Sequence, residues 1–219
     1  DSYLDDIDRD SRYYHPDALV LLGHPCGAVL AREYALRNPT LVPHLILTNP
    51  APVSVSDLAA VRKAYLERLG AAMDRQRAIV ASAAYQAGEP EAVAARYRIH
   101  FLPSLKRPED YERMMARMRA GFVSQGKDGI IKARAVEDRL MRDTWDVPGY
   151  DLLPRLAGLA IPTLVIAGDH DFMTGAAERI ARAIPRAELV TVRDCGHSAF
   201  LECAGELRNA LNGFFGRRQ

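Results

Sequence analysis

Residues 18–27 read ALVLLGHPCG, five apolar residues followed by a turn that contains glycine, histidine, proline and cysteine. A short, continuously apolar run is typical of a central strand in a parallel sheet, because helices cover both faces of such a sheet. Residues 28–37 have helical composition, and residues 44–48 form a second apolar run. Strand, helix and strand in about 30 residues predict a βαβ unit.

The pattern of predicted strands and helices changes near residues 52 and 150. The part between them has no convincing strand, and its predicted helices span residues 57–69, 74–86, 90–100, 108–120 and 129–141. The last part alternates again, with strands at 162–167 and 188–192 and helices at 175–184 and 204–215. We therefore predict an α/β fold with a parallel sheet, divided into core residues 1–52, an all-helical insertion at 53–150 and core residues 151–219.

Three methionines in the helical part, Met114, Met115 and Met118, lie at helical spacing. A methionine stripe of this kind usually packs in a hydrophobic core, and less often lines a substrate or cofactor site. We expect the three side chains to belong to the core.

The composition excludes several classes of function. The chain has 219 residues, of which 48% are hydrophobic and 26% charged, and its net charge is +1. That balance argues against a nucleic-acid surface, and no apolar run approaches the roughly 20 residues that span a bilayer. Cys26, Cys195 and Cys203 have no C-x-x-C spacing, so we expect neither a disulfide framework nor a zinc site. Cys195 and Cys203 are expected to be buried thiols, and a reducing, cytoplasmic location follows.

Candidate functional residues follow three of the predicted strands. They are the turn at residues 23–27, the segment 168–171, which ends in Asp171, and the segment 194–197, which ends in His197. Open α/β sheets place their sites at strand ends, and a carboxylate can fix the tautomer and orientation of a catalytic imidazole. Taken singly, Asp171 is also explained as a helix N-cap and His197 as a turn histidine.

These segments resemble the α/β-hydrolase family, whose catalytic residues follow the order nucleophile, acid, histidine. Residues 21–27 and 34–39 resemble the nucleophile elbow and its helix, and residues 45–52 resemble the next strand in the proline iminopeptidase branch. Residues 162–171 resemble the acid turn, and Gly196-His197 with Glu202 resembles the histidine loop. The resemblance implies that the helical part is a lid, that Asp171 orients His197, and that position 25 holds the nucleophile.

The chain departs from the family pattern in two places. The elbow motif is G-x-S-x-G, and Pro25 stands at the serine position. Proline has no hydroxyl, and its φ near −65° conflicts with the positive φ of an elbow, whereas the start of a helix tolerates it. The family's first strands and an oxyanion-hole loop are expected upstream, but 22 residues precede Gly23. We therefore expect an N-terminally truncated hydrolase fold.

Cys26 is a poor substitute for the serine, because it lies one position late in the motif. The resemblance gives it another role, in which its backbone N–H donates to the oxyanion.

Two functions follow from these observations. The first is a serine hydrolase of the proline iminopeptidase-like kind, or a related ester or amide hydrolase, impaired at the nucleophile. The second is a non-catalytic relative whose pocket binds a small molecule or partner. In the first case the substrate is a small molecule or short peptide. We expect no nucleic acid, membrane, cofactor or metal to take part.

Overall fold

The computed structural model describes residues 3–14 and 18–217. Within these residues, one sheet contains four parallel strands in the order β1 (Leu21–Gly23), β2 (Leu45–Thr48), β3 (Thr163–Gly168) and β4 (Ala187–Val192). The predicted α/β class and parallel sheet are confirmed. Each crossover contains at least one helix, as parallel neighbours require.

The helices in chain order are α1 (Tyr3–Tyr14), α2 (Gly27–Arg37), α3 (Val55–Leu69), α4 (Ala72–Ala81), α5 (Ala83–Gln86), α6 (Pro90–His100), α7 (Pro108–Asp143), α8 (Leu153–Leu156), α9 (Thr174–Ala183), α10 (Ala199–Glu202) and α11 (Ala204–Gly216). Two predicted boundaries were wrong. The helix expected at 74–86 breaks at Ser82, where the backbone is extended and the side chain caps Tyr85. The two helices expected at 108–141 are one long α7 with a kink at Gly126, whose φ is 62°.

Alternate residues of the inner strands face two separate core clusters. Leu45 and Leu47 of β2 face the cluster built with α2, α8 and α9, whereas Ile46 faces the cluster that contains Phe214 of α11. All residues of β2 and β3 are buried. Helices therefore cover both faces of the inner strands, which explains their continuously apolar sequence.

The first apolar run differs from this expectation. Strand β1 begins only at Leu21 and pairs with β2 alone among the described residues. The side chain of Leu22 is consequently 56% exposed, and Val20 is exposed as well. A run that looks central by sequence is therefore the edge of the sheet described here.

The helical segment 53–150 meets the carboxyl ends of the strands. The backbone N–H of His197 donates to Ser104 O at 2.7 Å, and the backbone N–H of Lys106 donates to the Glu202 carboxylate at 2.6 Å. Arg68 of α3 donates to His170 O in the turn after β3. These contacts place part of the segment beside the predicted site. No helix among residues 3–14 and 18–217 has both the length and the apolar composition needed to cross a membrane.

The expectation for the cysteines was partly wrong. Cys195 and Cys203 are buried, as predicted, but they form a disulfide with their Cα atoms 6.2 Å apart. The single-turn helix α10 folds the chain back after His197 and brings Cys203 beside Cys195. A spacing of eight residues does not reveal this return, because it depends on where the turn points.

Candidate active site

Asp171 and His197 lie side by side at the carboxyl end of the sheet. Asp171 follows β3 and His197 follows the neighbouring β4, so the parallel pairing brings the two turns together. His197 Nδ1 lies 3.0 Å from Asp171 Oδ2, and the two residues are 4% and 3% exposed. The contact predicted from the sequence is present, and the catalytic role of the pair stays a prediction.

Asn49, which directly follows β2, holds Asp171 and the backbone of the residue before His197. Its Nδ2 donates to Asp171 Oδ2 at 2.9 Å and to Gly196 O at 3.3 Å. Asn49 is fully buried and has a φ of 45°, a left-handed conformation that asparagine tolerates better than most residues. The sequence analysis missed this residue, although an Asn-Pro pair directly after a buried strand was a usable signal.

The surroundings keep Asp171 ionised. Burial alone raises the pKa of its carboxyl group. The charge of His197 and the hydrogen bonds from His197, Asn49 and the Met173 backbone N–H outweigh burial and hold that pKa below its usual value. An ionised Asp171 accepts a hydrogen bond from His197 Nδ1–H, so whenever the ring is neutral the other ring nitrogen, Nε2, carries the lone pair.

The His197 ring is held from two further directions. The Phe172 ring stacks against it with a centroid separation of 5.6 Å and an interplanar angle of 23°. Glu202 is buried and accepts from the backbone N–H groups of Lys106 and Ser198, which anchors the loop that carries His197. The imidazole therefore has little freedom to rotate.

A pocket of about 410 Å³ lies beside the pair. Its lining is mostly apolar and consists of His24, Pro25, Phe101, Met114, Arg117, Met118, His197, Ser198, Phe200 and Leu201. The expectation that the methionine stripe is core holds for Met115, which is buried, and is wrong for Met114 and Met118, which line the pocket. Residues three and four apart share a helix face, as Met114, Arg117 and Met118 do, whereas Met115 is offset from that face by one position. Among the described residues, no group of three or more His, Cys, Asp or Glu side chains could hold a metal ion.

The turn at Pro25 is the start of a helix. Successive N–H groups of Gly27, Ala28 and Val29 donate to the carbonyls three residues earlier, at 3.0–3.1 Å. Non-glycine residues with positive φ among the described ones are Asn49 and Asp194, so position 25 lacks the strained geometry of an elbow. Pro25 lines the pocket without offering a nucleophilic atom.

Cys26 offers a backbone group more readily than a thiol. Its N–H has no hydrogen-bond partner among the described residues. Cys26 is not among the residues that line the pocket, and the role of its N–H as a donor to an oxyanion stays a prediction. Although Cys26 is exposed overall, partial burial of the thiol raises its pKa, and Glu137 raises it further. The structure therefore does not bring this thiol to His197.

Two further histidines near the site are held neutral. His24 Nε2 donates to His197 O at 2.9 Å, and burial, followed by the charge of His197, lowers its pKa to about 4. His100 Nδ1 is hydrogen-bonded to the Tyr65 hydroxyl at 2.9 Å. Burial, followed by the charges of Arg96 and His197, lowers the pKa of His100 to about 3.

Because these two histidines are neutral in the folded chain, we expect the free energy of unfolding to fall at acid pH. Between about pH 6.5 and pH 4 the unfolded chain binds protons at both histidines and the folded chain does not, so stability is lost as pH falls. Each histidine contributes a slope of about 1.4 kcal/mol per pH unit in this window. Urea unfolding at several pH values measures the slope. His24→Gln with His100→Asn, which keep the bonded nitrogen positions, should flatten it, and an unchanged slope would contradict the assignment.

Comparisons with known proteins agree with this architecture. The sequence profile of the alpha/beta hydrolase fold family matches residues 1–204, whereas no curated protein sequence matches the chain significantly. The chain is similar to an alpha/beta fold family hydrolase from Bacillus anthracis str. Sterne, with 19% identity, a TM-score of 0.69, and coverage of 96% of this chain and 72% of that chain. It is also similar to the proline iminopeptidase of Mycobacterium smegmatis, with 21% identity, a TM-score of 0.63, and coverage of 98% and 70%.

A third similar structure is an N-acyl homoserine lactone degrading enzyme, with 21% identity, a TM-score of 0.64, and coverage of 96% and 73%. At such identities the likeness concerns the fold, and the chain covers only part of it. The family profile spans the turn at Pro25, Asp171 and His197, and the structure places these residues together at the carboxyl edge of a parallel sheet. The chain belongs to the alpha/beta hydrolase fold family.

Proposed function

We propose that the chain is a hydrolase of small esters or amides, of the proline iminopeptidase-like kind or a related one. Its acyl-transfer step is impaired because Pro25 occupies the nucleophile position. The observation that carries the proposal is the hydrogen bond between His197 and Asp171 beside an apolar pocket. Buried, coupled acid–base pairs in a cleft are concentrated at functional sites.

The pair supports a mechanism without a covalent intermediate. His197 Nε2 would take a proton from a water molecule while the water oxygen attacks the substrate carbonyl carbon. Asp171 would stabilise the imidazolium, and the Cys26 N–H would donate to the oxyanion. Collapse of the tetrahedral intermediate would expel the alcohol or amine, which takes the proton from His197 and leaves a carboxylic acid.

The lining of the pocket favours esters and simple amides over aminopeptidase substrates. An aminopeptidase must bind the ammonium group at the start of its substrate, and a carboxylate is the natural partner for that charge. No Asp or Glu is among the residues that line this pocket. The segment 53–150, which supplies Phe101, Met114 and Met118, would act as a lid that selects the substrate. The disulfide between Cys195 and Cys203 removes the argument from free thiols for a cytoplasmic location, so we propose no compartment, and we assign the protein no cofactor.

The second candidate is a non-catalytic binding protein. The relaxed helical turn at Pro25 favours it, because a proline there removes both the hydroxyl and the elbow geometry. The same apolar pocket would then hold a small molecule without converting it.

Hydrolysis of a panel of p-nitrophenyl esters distinguishes the two. We expect slow hydrolysis with no initial burst, since no acyl-enzyme forms, and a loss of about 10²–10⁴-fold in His197→Ala. His170→Ala is the matched control, because His170 lies in the neighbouring turn and does not line the pocket. Equal rates in the unmodified chain and His197→Ala would overturn the hydrolase and leave the binding protein.

A further inference from the structure

Arg117 is the charged side chain in an otherwise apolar and weakly polar lining. It stands on α7 between Met114 and Met118, which line the same pocket, and Phe200 and Leu201 of α10 line it as well. His24 is neutral near pH 7, because burial holds its pKa near 4. The pocket therefore combines a large apolar surface with one fixed positive charge.

This charge has no counter-ion within residues 3–14 and 18–217. Arg117 makes no hydrogen bond or ion pair with any residue that the structure describes, and it is exposed at the pocket. Its neighbours at three and four residues along α7 are Arg113, Met114, Ala120 and Gly121, none of which carries a carboxylate. Other arginines of the same helix are paired: Arg113 with Asp110, and Arg119 with Glu91.

From these observations we propose that the pocket binds an organic carboxylate, with the apolar body against the methionines and phenylalanines and the carboxylate on the Arg117 guanidinium. This inference rests on the proposed function and names its substrate class as esters or amides whose acyl part ends in a carboxylate. The planar guanidinium suits a carboxylate through two parallel hydrogen bonds. The apolar lining supplies most of the affinity and Arg117 supplies the discrimination between charged and neutral ligands.

Binding of octanoate and of octanol to the unmodified chain tests the proposal without any turnover. The two probes have the same apolar length and differ in the charged group. We expect octanoate to bind about three- to tenfold more tightly at low salt, a range between that of an exposed ion pair and that of a charge-assisted bond. The preference should shrink as salt is added. Titration followed by NMR chemical shifts measures both dissociation constants.

Two variants with the same change in net charge locate the effect. Arg117→Gln should abolish the preference for octanoate, whereas Arg142→Gln should keep it. Arg142 is also exposed on α7 without a described partner, but it does not line the pocket. Circular dichroism and thermal melting verify that both variants fold.

Each outcome decides the proposal. A preference for octanoate that depends on Arg117 supports it, even where no ester is hydrolysed. Equal binding of the two probes, a preference that survives Arg117→Gln, or no binding of either probe overturns it. His197-dependent ester hydrolysis without a carboxylate preference would overturn this inference and leave the proposed function intact.

Discussion

Pro25→Ser should make the chain react with a fluorophosphonate probe, whereas the unmodified chain and Pro25→Ala should not react. Position 25 lines the pocket together with His197, so a hydroxyl placed there would share that pocket with the proposed general base. Removing proline also frees φ, which allows the turn to take up the positive value of an elbow. The measurement is the rate of covalent labelling, followed by mass spectrometry of the labelled peptide.

The dependence of labelling on His197 makes the test specific. In the Pro25→Ser background, His197→Ala should slow labelling by about 10²–10⁴-fold, the usual contribution of a positioned general base. Ester turnover should rise far less than labelling, because the Cys26 N–H is the one oxyanion donor we identify among the described residues, and losing a second donor costs about 10²–10³-fold. Labelling of the unmodified chain that disappears in Cys26→Ala would instead show that Cys26 is the nucleophile.

The parts of the fold that depend on local pattern could be predicted from the sequence. The inner strands β2 and β3 are buried on both faces, so their uninterrupted apolar runs mark them without knowledge of their partners. The turns after β3 and β4 then had to lie side by side, which made the contact between Asp171 and His197 foreseeable. Parallel pairing of two strands thus brings together the turns that follow them.

Features that depend on which side chains converge could not be predicted in this way. Asn49 reaches Asp171 across 122 positions of sequence, and its local signal indicates only a turn. The disulfide between Cys195 and Cys203 depends on the direction in which α10 returns. Met114 and Met118 have the spacing of core residues, and the pocket beside them exists because of residues on other elements.

Gly168 is another residue whose importance depends on contacts that the sequence does not reveal. It should tolerate substitution very poorly. Sequence analysis identifies it as the end of β3, a position that many residues could occupy. In the structure, a Cβ at this position would overlap the carbonyl oxygens of Cys195 and Gly196, which belong to the loop that carries His197. These are backbone atoms held by the bond from the His170 N–H to Cys195 O at 2.9 Å, so they cannot rotate out of the way.

Gly168→Ala should therefore push the histidine loop away from β3 and separate His197 from Asp171. We expect a loss of about 1–3 kcal/mol or more in the free energy of unfolding, the usual cost of forcing extra volume into a packed site. That loss corresponds to a fall of about 2–12 °C in Tm for a chain of this size. Gly121→Ala is the matched control, because a Cβ there meets no atom within 4 Å and the residue lies in the interior of helix α7, where alanine is worth about 0.5–1 kcal/mol more than glycine. Thermal and denaturant unfolding of the two variants should thus shift in opposite directions.

Equal stability of Gly168→Ala and the unmodified chain would contradict this expectation. The loop after β4 would then not press on β3 as the structure shows, and the positions of His197 and its partners would have to be revised.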